Sequence, residues 1–212
     1  NYSPATAINQ LEMWQEASFD TATINKELGW AASIGMNTIR VFLHDLLHQQ
    51  DSAGIYKRMD TFLDIESRHN IKVMFVLFDS VWDPYPKLGK QRDPKPHVHN
   101  SGWVQSPGLE VLKDSTQYPR LEAYVKGVVK RFADDKRVLV WDIWNEPDNI
   151  NPGSYGQLEL KDKGLIVAPL LKKAFEWSRS VNPSQPLTSG IWIGDWSSHD
   201  SLKVWEKIQL EQ

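Results

Sequence analysis

The sequence predicts an α/β fold: a (β/α)₈ TIM barrel, present as an incomplete portion covering about strands 1–5. Three observations point there. Strand-like and helix-like segments alternate along all 212 residues, which implies a mainly parallel sheet covered by helices. No GxGxxG and no GxxxxGK[ST] occurs, so the Gly-rich loop of a nucleotide-binding doubly wound sheet is missing. Long polar and aromatic loops follow two of the strands, which is where a barrel carries its chemistry. A whole barrel needs roughly 250 residues. Residues 1–212 are therefore expected to be the N-terminal part of a single barrel domain, with strands 6–8 beyond residue 212.

The elements follow in order. Asn1 to Trp14 reads as the end of a first strand entering its loop. Thr23 to Ile34 is a helix with Ile24, Leu28 and Ala31 on one face, stopped by Gly35. Asn37 to Leu43 is a β-branched strand. Ile55 to His69 is a helix, and Asn70 can take the left-handed position that ends it. Ile71 to Phe78 is apolar throughout, as a strand buried on both faces would be. A long loop runs from Asp79 to about Gln117. A helix from Pro119 to Ala133 and a strand from Val138 to Trp144 come next. A second long loop reaches Lys163, and a helix with Pro169 in its first turn or at a kink ends near Ser180. Leu187 to Ile193 is a strand, and Ser201 to Gln212 begins another helix.

Composition narrows the function classes. Net charge is -3, from 24 basic and 27 acidic residues, with no basic tract, so a nucleic-acid partner is not expected. No apolar run reaches membrane-spanning length, so no membrane is expected either. No signal peptide is visible, although a secreted or periplasmic setting is suspected. The chain has no cysteine, which removes disulfides and thiolate chemistry. Ten tryptophans are unusual and divide between core and flat binding surfaces.

The strongest motif is Trp141-Asp142-Ile143-Trp144-Asn145-Glu146-Pro147. A buried-type strand stops at an amide, a carboxyl group and a proline, which puts Asn145 and Glu146 at the C-terminal mouth of the sheet. Pro147 restricts Glu146 and limits where its carboxyl can wander. A solvated turn would have the same sequence, so the residues alone leave both readings open.

WDIWNEPDN resembles the fourth-strand motif of the retaining glycosidase clan that includes the family 5 cellulases and mannanases. GMNTIRVFLHD, Gly35 to Asp45, resembles that clan's second-strand motif. The resemblance implies a (β/α)₈ barrel and a retaining O-glycoside hydrolase acting on a β-linked polysaccharide or oligosaccharide, with a β-1,4 glucan, mannan or xylan favoured. It makes Glu146 the catalytic acid/base, Asn145 the contact to the sugar 2-hydroxyl, and Arg40 the residue that orders the site and supports the nucleophile. That nucleophile, a glutamate ending strand 7, is expected outside this chain. The missing C-terminal barrel segment, in cis or as another chain, would then be a partner, and this chain alone would be inactive. One departure concerns strand 3. The family often ends it with histidine, where this sequence has Phe78-Asp79-Ser80. A non-catalytic carbohydrate-binding protein on a degenerate barrel is the alternative.

Other residues near strand ends complete the candidate site. His44 and Asp79 are candidate sugar contacts, an Asx turn being the plain reading of Asp79. Asp45, Asp79 and Asp195 could face the mouth. Trp82, Trp103 and Trp196 are candidate sugar platforms, because an indole face covers the apolar C–H face of a pyranose. Trp30, Trp177 and Trp205 read as packing. His97-x-His99 lacks a third ligand at a known spacing, so neither a metal nor a cofactor is expected. Arg40 is a charge in a buried-type strand and requires a carboxylate partner whatever its function.

Overall fold

Residues 1–211 are described by a computed structural model. The β-branched and aromatic runs pair side by side as one parallel sheet. Its order is β1 (Thr38–Phe42), β2 (Lys72–Asp79), β3 (Val138–Asn145) and β4 (Leu187–Thr188). Tyr2 adds a single parallel bridge to Val41 at the β1 edge. Helices α1 (Gln10–Trp14), α2 (Thr21–Ser33), α3 (Asp45–Arg68), α4 (Leu109–Leu112), α5 (Tyr118–Arg131), α6 (Lys163–Ser180) and α7 (Val204–Leu210) fill the connections. Among the described residues no helix is long and apolar enough to cross a membrane.

Register explains the core. Val41, Phe75 and Trp141 align across β1, β2 and β3 and are all fully buried. Phe75 and Trp141 stack at 5.8 Å, and the Trp14 ring meets Phe62 of α3 edge-on at 5.2 Å. The next row, Arg40, Met74 and Val140, is only partly buried. One face of the sheet is thus packed under helices and the other is open enough to carry a charge.

Several boundaries follow from caps. Asp20 Oδ1 accepts the Ala22 and Thr23 N–H groups and starts α2. Gly35 (φ 87°) and Asn70 (φ 56°) take the left-handed positions expected after α2 and α3. α3 begins ten residues before the predicted Ile55, because His44 caps an extra segment at Asp45. The helix breaks at Asp51, whose carboxylate accepts the Gly54 N–H at 2.8 Å as an internal cap. Pro169 lies in the second turn of α6 rather than the first.

The predicted strand Leu187–Ile193 pairs only at Leu187 and Thr188. Gly190 still exchanges backbone bonds with the end of β3, but Ile191 and Ile193 are about half exposed at 51% and 56%. Apolar alternation without burial does not sustain a strand. Trp30 also departs from expectation. It is 59% exposed on α2 under the Lys26 ammonium, whereas Trp177 and Trp205 are packed.

Candidate active site

β3 delivers its last residues to the C-terminal end of the sheet. Glu146 leaves the strand in a left-handed conformation (φ 46°), not the extended one that a following proline favours. Its N–H donates to the Gly190 carbonyl at 3.2 Å, and its own carbonyl accepts the Asn149 N–H at 3.0 Å. The half-buried carboxyl accepts a hydrogen bond from Asn149 Nδ2 at 2.7 Å.

Beneath it lies a polar network of four residues drawn from three strands. Arg40 Nε donates to Asp142 Oδ2 at 2.9 Å, and Nη2 donates to the same oxygen and to Asn145 Oδ1, the latter at 2.9 Å. Asn145 Nδ2 donates to Asp79 Oδ1 at 2.9 Å. The carboxylate that Arg40 required is therefore Asp142, three residues before the strand end. Burial pushes the Asp142 carboxyl up while the Arg40 guanidinium pulls it back.

Asp79 is fully enclosed, and its Oδ1 also accepts the Val81 N–H at 3.0 Å, the plain Asx turn. Burial pushes its carboxyl up to about 7, outweighing the bonds from Asn145 and Val81. Its geometry is that of a support for Asn145. A direct sugar contact does not fit a side chain so enclosed.

The remaining predicted residues divide. Trp103 stands at the mouth, edge-on to Phe42 at 5.2 Å, with the Arg40 guanidinium over the same Phe42 ring at 4.8 Å. Trp82 lines a cleft of about 450 Å³ together with His97, His99, Asn149, Asn151 and Trp192. Trp196 is not among that cleft's lining residues; the indole there from the β4 side is Trp192. His44 is turned inward instead of toward a substrate. Its Nε2 lies 2.9 Å from the Gln105 carbonyl, and its Nδ1 sits against the Leu46 N–H and the Asp45 carboxylate. Asp45 pairs with Arg120 at 2.7 Å and with Ser106. Burial opposes its ionised form, yet His44 and Arg120 prevail and hold it at about 2. Asp195 is exposed and bonds within its own turn to Ser197. Among the described residues no group of three or more His, Cys, Asp or Glu is arranged to hold a metal ion.

The structure adds residues that sequence reasoning missed. Asn149 and Asn151 follow Glu146 at a turn, and Glu159 and Lys163 form a buried pair behind it at 2.8 Å. The Asn-x-Asn after the motif was a visible signal for the turn. Glu159 and Lys163, four apart, look like an ordinary surface pair, and nothing in the sequence marks them as buried.

No family model matches the chain. Mannan endo-1,4-beta-mannosidase A of Emericella nidulans is 25% identical over 107 residues, 48% of this chain and 26% of that protein. The beta-mannanase of the blue mussel Mytilus edulis superposes with a TM-score of 0.63 at 16% identity, over 95% of this chain and 63% of its own. The endo-1,4-beta-mannanase of Rhizomucor miehei gives 0.59 at 15%, over 95% and 60%. The chain has the fold of the glycosidase barrels. The order β1 to β4, with the Tyr2 bridge to Val41 at the β1 edge, fits the expected strands 2 to 5 preceded by the end of a strand 1. The chain spans about a quarter of the curated relative and about three fifths of these two structures.

Proposed function

We propose that the protein containing this chain is a retaining O-glycoside hydrolase of β-linked polysaccharide, with β-1,4-mannan as the preferred substrate. One observation carries the reading: Glu146 is held by Asn149 at the C-terminal end of the sheet, directly beside an Asn145 locked by Arg40 and Asp79. A partly exposed carboxyl on a fixed backbone can pass a proton to a glycosidic oxygen, and the amide next to it can meet a ring hydroxyl. The mannan preference is supported by the three mannan-active relatives named above.

In this reading Glu146 protonates the departing oxygen while a second carboxylate attacks the anomeric carbon. Glu146 then takes a proton from the water that releases the sugar. The second carboxylate stands about 5–5.5 Å away in a retaining enzyme. Asp45 and Asp79 are buried in bonds of their own, and Asp195 lies in a surface turn. None of these three aspartates suits that role, and the resemblance implies a glutamate outside this chain as the nucleophile.

Incubating the full-length protein with mannan, β-glucan and xylan tests this directly. Reducing ends should appear fastest from mannan, and proton NMR should show the first product as the β-anomer. An α-anomer as first product would exclude the retaining mechanism. Tight mannan binding with no reducing ends released would favour the non-catalytic alternative. Asn145→Ala is expected to lower turnover about 10- to 100-fold, the worth of a hydrogen bond in a charged network. Near-normal rates in that variant would remove Asn145 from the site.

A further inference from the structure

Two bulky residues of the site occupy left-handed backbone that such side chains avoid: Glu146 at φ 46° and Trp82 at φ 81°. They belong to different loops, one after β3 and one after β2. Both are nevertheless tied to a single short turn. Asn149 Nδ2 donates to Glu146 Oε2 at 2.7 Å, and the Trp82 N–H donates to Asn151 Oδ1 at 2.8 Å. The Asn151 N–H closes the turn on Asn149 Oδ1 at 2.7 Å.

The anchor of this turn is an ion pair whose side chains are 0% and 1% exposed. Lys163 Nζ donates to the Asn149 carbonyl at 2.8 Å, the Ser80 carbonyl at 2.6 Å and the Glu159 carboxylate at 2.8 Å. Glu159 also accepts from the Asn151 and Gln105 amides. All three ammonium protons are therefore spent on the two loops. A charge pair this enclosed needs each of its partners in place, which makes it specific about geometry. Neither member can reach a substrate, so its effect on the site passes through the turn.

We infer that Asn149 and Asn151 are positioning residues serving two halves of one site, with the Lys163–Glu159 pair setting their common origin. Asn149 aims the proton-donating carboxyl. Asn151 fixes the backbone that presents the Trp82 ring to a sugar. The inference rests on the assignment of Glu146 as acid/base.

The test measures kcat, KM and kcat/KM, the last reporting formation of the glycosyl-enzyme, for the full-length protein on two substrates, an unactivated β-1,4-mannooligosaccharide and an aryl mannoside with a good leaving group. Asn149→Ala should lower kcat/KM on the oligosaccharide about tenfold or more, as misplacing a reacting group does. The aryl substrate needs little protonation, so its kcat/KM should fall far less, even though its kcat drops as the water step loses its base. Asn151→Ala should raise the oligosaccharide KM about fivefold, the worth of one aromatic contact, at nearly constant kcat. If Asn149→Ala does not fold, Asn149→Ser keeps an acceptor for the Asn151 N–H but is too short to reach Glu146, and it should show the same selective loss. Equal losses of kcat/KM on both substrates, or unchanged constants in both variants, would overturn the inference. Glu146→Gln runs alongside as the reference. A selective loss there without one in the Asn149 variants sinks only the positioning role, whereas no selectivity in Glu146→Gln itself sinks the acid/base reading.

Discussion

Changing Glu146 to glutamine is expected to reduce turnover of an unactivated β-1,4-linked oligosaccharide by about 10²–10⁴-fold, the range lost with a general acid. The substitution is nearly isosteric. Its amide oxygen can still accept from Asn149 Nδ2, so the left-handed turn and the backbone bond to Gly190 should survive. What disappears is the transferable proton. Aryl glycosides with good leaving groups should form the glycosyl-enzyme at nearly the original rate and then stall, because water no longer meets a base. Added azide, which needs no base, should restore turnover and give a β-glycosyl azide. Unchanged rates on both substrate types in Glu146→Gln would end the assignment.

The second large effect concerns stability. Glu66 of α3 is fully buried, and among the described residues neither carboxyl oxygen has a hydrogen-bond partner. Burial pushes its carboxyl from 4.5 up to about 9. The folded state therefore holds a proton that the unfolded chain gives up more easily. The associated stability is fully present below about pH 4.5, falls as the pH rises, and is gone above about pH 9. By pH 7 this amounts to about 3 kcal/mol. Glu66→Gln should remove that slope, and Glu66→Met should add stability at neutral pH by ending the desolvation of a polar group. Asp79, raised to about 7, contributes a slope of the same sign in parent and variants alike, so the difference between proteins isolates Glu66. Urea unfolding of the full-length protein at pH 5 and pH 8.5 measures it. Identical pH dependence in parent and Glu66→Gln would refute the claim.

Much of this molecule was legible because local chemistry marks it. The strands announce themselves by β-branched runs, and Gly35 and Asn70 mark helix ends by the backbone they permit. The candidate acid stands out because a carboxyl group and a proline interrupt an apolar strand. Arg40 in such a strand demanded a carboxylate, and Asp142 supplies it. What stayed hidden was direction and depth. His44 and Asp79 are polar residues at strand ends, as expected, but the long loop after β2 folds back over them and takes their bonds. Trp196 was the residue expected at the cleft, yet the path of the chain after Gly190 brings Trp192, four residues earlier, to it instead. Lys163 and Glu159 look solvated until two separate loops enclose them.

The bonds from Trp82 to Asn151, from Gln105 to Glu159 and from Arg92 to Tyr155 all run between the segment after β2 and the segment after β3. Those two segments consequently behave as one exchangeable module. An engineer who grafts one of them from a related enzyme while keeping the other would strand an ammonium or a carboxylate in the interior. Altering the specificity of this scaffold therefore calls for transplanting both together, and natural variants should be found to change them in concert.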